Sequence, residues 1–100
     1  MFQVLALLYQ RESDVQAFRA FEKDAIAIIR DHGGKLITAF VPESKDGEET
    51  PDEIHLIQFP DKPAFHAYQA DPRTMALSSR RANVIAKTIV YASDEIVQYD

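Results

Sequence analysis

One histidine, His55, stands inside the apolar run Glu53-Ile54-His55-Leu56-Ile57-Gln58-Phe59. An imidazole titrates close to neutrality, so it can serve as a general acid or base once a rigid element holds it in place. That makes His55 the candidate catalytic residue. Four other side chains are candidates for binding a ligand. Tyr9 and Tyr68 sit at element ends, where a ring can pack while its hydroxyl orients a guest. Gln58 is a polar group in an apolar strand and needs a partner there. Arg81, in the pair Arg80-Arg81, can grip a carboxylate with two parallel N–H groups. Each has a plainer structural reading. His55 can be a core histidine with one local hydrogen bond, the tyrosines core rings with a wet tip, and the arginines members of surface ion pairs.

The remaining chemistry-bearing residues point to less. His66 lies opposite the apolar face of its own helix and is expected in solvent. His32 closes the first helix, where a cation suits the helix dipole. The three histidines show no metal-ligand spacing, and the chain has no Cys, so no metal site is expected. Ser78-Ser79 lacks a nucleophile-elbow context. Gly33-Gly34 reads as a helix stop, because no phosphate-binding pattern follows it. No cofactor motif appears.

The elements that must position these groups follow from periodicity. Phe2 to Tyr9 is a near-continuous apolar run and reads as a buried strand. Its flanks carry no basic region or cleavage site, so it is not expected to be a signal peptide. Ser13-Asp14-Val15-Gln16 reads as a capping box with Ser13 as the cap. A helix is expected from Ser13 to His32, burying Val15, Phe18, Phe21, Ala25, Ile28 and Ile29. Lys35 to Val41 and Glu53 to Phe59 read as strands two and three. Between them, Pro42 to Glu53 holds six acids and one base, which accounts for the whole formal charge of −5. Those acids should repel one another and leave a solvated loop. Asp61 and Asp71 read as helix caps, with Pro63 and Pro72 in the first turns after them. They mark a second helix broken in two that ends near Ala82. Thr88 to Ala92 and Glu95 to Tyr99 read as the last strands, joined by a turn at Ser93-Asp94.

The resulting order is β-α-β-β-α-β in a single domain, residues 1–100. This is an α+β, ferredoxin-like arrangement: a four-stranded antiparallel sheet with helices on one face. Strands one and three are apolar on both faces, so a second copy is expected to cover the open face as a homodimer. A charge-balanced body with one acidic loop offers no footprint for nucleic acid. Nothing approaches the roughly 18 apolar residues of a membrane span, and a cytoplasmic protein is expected.

The chain also resembles a known group, the dimeric α/β-barrel superfamily. Within it the likeness is to a small uncharacterised family related to the antibiotic-biosynthesis monooxygenases. The resemblance rests on Pro51-Asp52-Glu53-Ile54-His55-Leu56-Ile57-Gln58-Phe59-Pro60, the aromatic Tyr68, Asp71-Pro72, an Arg at 80 or 81, and His32-Gly33-Gly34. It implies two units paired through their sheets. Small apolar ligands would then lie inside the barrel or between sheet and helices. It further implies a cofactor-independent enzyme of monooxygenase, isomerase or dehydratase type; the alternative is a non-catalytic binding or structural dimer. The monooxygenases often carry a pocket Trp, and this chain has none.

Overall fold

The computed structural model describes residues 1–11 and 14–100. Four strands, β1 (Phe2–Gln10), β2 (Lys35–Phe40), β3 (Glu53–Phe59) and β4 (Ile85–Ser93), form one antiparallel sheet in the order β2-β3-β1-β4. Four helices, α1 (Val15–Asp31), α2 (Lys62–Ala70), α3 (Pro72–Ala76) and α4 (Ser78–Val84), complete the βαββαβ pattern, with the second helix in three pieces.

Strand alternation sorts the side chains. Val4 pairs with Ile57, Ala6 with His55 and Phe2 with Phe59. These residues point toward the helices and are buried. Leu5 pairs with Leu56 and Leu7 with Ile54 on the opposite face, which no helix among the described residues covers. Burying the first set holds the layers together. Phe2, Val4, Ile29, Ile57 and Phe59 form one cluster, and Ala6, Leu8, Phe18, Phe21 and Ile85 form the other.

Several expectations need correction. Ser13 lies outside the described residues, and the side chain that caps α1 is Asp14, which accepts from the Gln16 and Ala17 amides. Val15 is 46% exposed, because it is the first residue of the helix, where the chain has not yet reached the sheet. The second helix breaks at Leu77 as well as at Asp71. The first break follows from Pro72, which cannot donate to the preceding turn. Leu77 carries no such signal; it packs against the Ala6–Phe21 cluster. The last strand begins at Ile85, extended by pairing with β1 as far as Gln10. Glu95–Tyr99 forms no strand in this chain: it has run past the end of β1, where no ladder partner remains.

Two tight features anchor the frame. Gly33 (φ 78°) and Gly34 end α1 with N–H bonds back to Arg30 and Ile29. A Cβ on Gly34 would meet Ile29 Cγ2 at 2.5 Å and Phe59 Cε1 at 2.9 Å, so α1 enters β2 hard against the core. Asp71 then ties the far end of α1 to α3. Its carboxylate accepts from the Arg73 amide and guanidinium, and lies 2.8 Å from His32 Nε2.

Candidate functional site

His55 is central in β3 and faces the helices. Its sheet neighbours on that side are Ala6 on β1 and Ala39 on β2. Two small residues leave room for the ring, which lies almost entirely out of solvent. Both ring nitrogens meet carboxylates. Nε2 is 2.7 Å from Glu53 Oε1, and Nδ1 is 3.8 Å from Glu22 Oε2. Glu53 shares a face with His55 because they are two residues apart on a strand. Its other oxygen accepts from Arg19 Nε at 3.4 Å.

Glu22 is the buried acid that periodicity reasoning passed over. It lies four residues after Phe18 and three before Ala25, inside the apolar stripe of α1. Burial pushes its carboxyl above the ordinary value of 4.5, and Glu53 adds to that. The charges of His55 and Arg81 oppose the rise.

These groups open on a cleft of about 390 Å³ between sheet and helices. Its walls include Val4, Ile57, Phe59 and Phe65, with Val90, half exposed, on β4. Tyr68 enters from α2 and Arg81 from α4. Burial raises the Tyr68 phenol above 10.0; Arg81 opposes this and Glu22 adds to it. Arg81 Nη2 donates to Thr88 Oγ1 at 2.6 Å, which leaves the other guanidinium N–H groups for a guest. Thr74 also lines the cleft, and its buried hydroxyl has no partner among the described residues. A buried hydroxyl left unpaired costs free energy, which a ligand atom would offset. Among the described residues, no three His, Asp or Glu side chains are placed to hold a metal ion.

The family model for a domain of unknown function, DUF1330, matches residues 4–93. The chain belongs to the DUF1330 family. No curated protein matches it. A protein of unknown function from Rhodopseudomonas palustris superposes on this DUF1330 chain with a TM-score of 0.81 at 17% identity, covering 97% of this chain and 83% of its own. A dabb family protein with a ferredoxin-like fold, from Mesorhizobium loti, gives 0.69 at 13% identity over 96% and 97%. A dimeric protein of unknown function with a ferredoxin-like fold, from Bacteroides fragilis, gives 0.62 at 13% over 92% and 93%. At these identities the likeness establishes the fold alone, and it bears out the ferredoxin-like reading; the family match bears out the resemblance to a small uncharacterised family.

Of the residues singled out in the DUF1330 sequence, the cleft gathers His55, Tyr68 and Arg81. It does not include Tyr9 or Gln58. Gln58 pairs with Gln3 on the open sheet face, and Tyr9 lies there too, with Lys87 Nζ 4.3 Å from its ring centre. Strand parity separates them from His55. Arg80 is outside as well, bonded to Asp24 at 2.6 Å and lying over Phe21. Sequence reasoning missed Glu22, the pairing of Glu53 with His55, and Thr74. Only Glu22 had a readable signal, as an acid at a stripe position.

Proposed function

We propose that the cleft is the active site of a general acid–base enzyme that moves a proton beside the carbonyl of a small, largely apolar compound. This is an isomerase or dehydratase type of reaction. The observation that carries the reading is the Glu22 carboxyl, buried in an apolar cleft with its proton affinity raised and His55 beside it. A carboxylate in that setting is a stronger base than one in water, tuned toward the working pH. In this reading Glu22 takes the proton from carbon. Arg81 and the Tyr68 hydroxyl stabilise the enolate oxygen that forms. Thr74 holds a second polar atom, and Val4, Ile57 and Phe59 bind the apolar body. The oxygenase branch of the fold has less support, because the groups gathered here suit proton transfer.

The same reading makes the protein a homodimer. Leu5, Leu7, Ile54 and Leu56 form an apolar band on the open sheet face, flanked by Phe40 (49% exposed) and Tyr91 (64%). Leu5 is exposed and Leu7, Ile54 and Leu56 are half-buried, so each forgoes part of the roughly 1.5–3 kcal/mol that full burial of such a side chain is worth. A second sheet, related by a two-fold axis, would cover the band. Tail residues Ile96, Val97 and Tyr99 are exposed and would lie against that partner.

The test is proton washout. Small ketones and 1,3-dicarbonyl compounds are incubated with the protein in D₂O and followed by NMR. The expected result is loss of an α-proton signal from at least one compound, abolished by Glu22→Gln. Compounds that bind the cleft, by chemical-shift perturbation, yet exchange no faster than in buffer would make this a binding protein instead.

A further inference from the structure

A second cleft, about 320 Å³, lies on the far side of α1, between that helix and β2. It is bordered by Arg19, Lys23, Arg30, Leu36 and Ala39. The two clefts share two lining residues, Glu22 and His55. Glu53 lines the second cleft and not the first. The imidazole therefore stands as a partition, with its Nδ1 edge toward Glu22 and its Nε2 edge toward Glu53.

We infer that Glu22, His55 and Glu53 form a proton relay that connects the first cleft to solvent through the second. The inference rests on Glu22 acting as acid and base in the first cleft. The geometry suits transfer through a ring rather than storage on it. Each nitrogen faces one carboxylate, so a proton accepted at Nδ1 releases another from Nε2. The Nε2 contact, 2.7 Å, is already a hydrogen bond. The Nδ1 contact, 3.8 Å, closes to hydrogen-bond range with a shift of about 1 Å in the Glu22 side chain. Arg19 lies against Glu53 and the charge of Arg81 reaches Glu22, so a cation offsets each carboxylate.

The step balances without electron transfer. The Glu22 carboxylic acid, protonated from the substrate carbon, passes that proton to Nδ1. The Nε2 proton moves to the Glu53 carboxylate, which releases it to water in the second cleft. The same transfers in reverse restore the imidazole tautomer and return a proton to Glu22. His55 and Glu53 never touch the reacting carbon in this scheme. They are positioning and proton-carrying residues, and the carbon acid meets Glu22 alone.

The experiment follows the His55 ring N–H in ¹⁵N-histidine-labelled protein, by saturation transfer from water, with His32 and His66 as references. In the relay, Glu53→Gln slows that exchange by about tenfold or more. Lys23→Trp, which narrows the second cleft from the exposed face of α1 and leaves both carboxylates and the sheet neighbours of the ring, slows it similarly. Val90→Trp, which narrows the first cleft, leaves it unchanged. Unaltered exchange in Lys23→Trp would overturn the relay, since a Glu53 that merely orients the ring needs no second cleft. Slowing by Val90→Trp with none by Lys23→Trp would overturn it too. Lys23→Trp decides the matter even if Glu53→Gln fails to fold. The measurement needs no substrate, so it separates failure of the relay from failure of the catalytic reading, which proton washout tests alone.

Discussion

The Nε2 of His55 is 2.7 Å from the carboxylate of Glu53, two residues earlier on the same face of the same strand. The pair is held by β-sheet geometry, since alternate residues of a strand point the same way. It converts an acid at the border of a charged loop into a partner for a buried imidazole. The remaining five acids of that stretch stay exposed, while Glu53 does not.

Glu22 should matter in opposite senses for activity and for stability. Glu22→Gln is expected to cut proton washout by about 100-fold or more, the scale of a lost acid–base group. It should not weaken the fold at pH 7, because the amide carries no charge to desolvate. The sign with pH follows from a folded value raised above 4.5. The folded state holds the Glu22 proton more tightly than the unfolded chain, so this group favours folding at low pH. That contribution is lost as pH rises from 4.5 through the raised value. Urea unfolding of both proteins across this range should show wild type losing ground to the variant as pH rises.

Thr74→Val should leave the free protein as stable as wild type or slightly more so. The hydroxyl it removes is buried and unpaired, and the two side chains have similar shape. Affinity for any compound shown to occupy the cleft should fall, by about tenfold if the lost hydrogen bond is worth about 1.4 kcal/mol. Calorimetric titration checks this; unchanged affinity would remove Thr74 from the binding site.

Asp71 works by charge as well as by capping. Hydrogen bonds from Arg73, then from His32, hold its carboxyl well below 3.8. A lowered folded value contributes stability above 3.8 that drains away as pH falls below it. Asp71→Asn keeps the helix cap, since Asn caps nearly as well. The variant should melt below wild type at pH 7, and the gap should close as pH falls beneath 3.8. A gap that stays constant down the titration would mean that shape, not charge, sets the role of Asp71.

Two glutamate substitutions on β1 should fail differently. Val4 is 4% exposed among the helix-packed residues, and Leu7 lies on the open face. Val4→Glu buries a charge in the core and should cost about 3 kcal/mol or more, enough to unfold much of the protein. Leu7→Glu should leave the fold by circular dichroism and break the proposed dimer. Light scattering should then read 11.3 kDa instead of twice that. A monomeric wild-type protein would remove the proposed dimer.

The acidic loop is expected to be dispensable except at its end. Removing residues 43–48 should shift the melting temperature by only a few degrees, because these residues are exposed. Asp52 differs. Its amide donates to the Leu8 carbonyl at 2.8 Å, and its carboxylate accepts from the Gln10 amide at 2.7 Å. Asp52→Ala should cost about 1 kcal/mol by thermal melting, the worth of one such bond.

Element order, the Phe-rich stripe of α1, the Gly-Gly stop, and the Asp-Pro break were legible because each is a local signal. Phe18, Phe21 and Ala25 must share a helix face whatever surrounds them, and Pro72 must end a hydrogen-bond ladder wherever it stands. His55 stood out for the same reason, as a polar residue in an apolar strand. What periodicity could not decide was which face of an apolar strand meets the helices. Leu7 and Val4 read alike along the chain, and only the docking of α1 and α2 on one side of the sheet tells them apart. That choice of side also decides the candidate site. It draws His55, Tyr68 and Arg81 into one cleft, turns Gln58 and Tyr9 away by strand parity, and brings Glu22 from 33 positions earlier to within 3.8 Å of the imidazole. Contacts between residues so far apart depend on the packing of whole elements, and no pattern of neighbours along the chain records them.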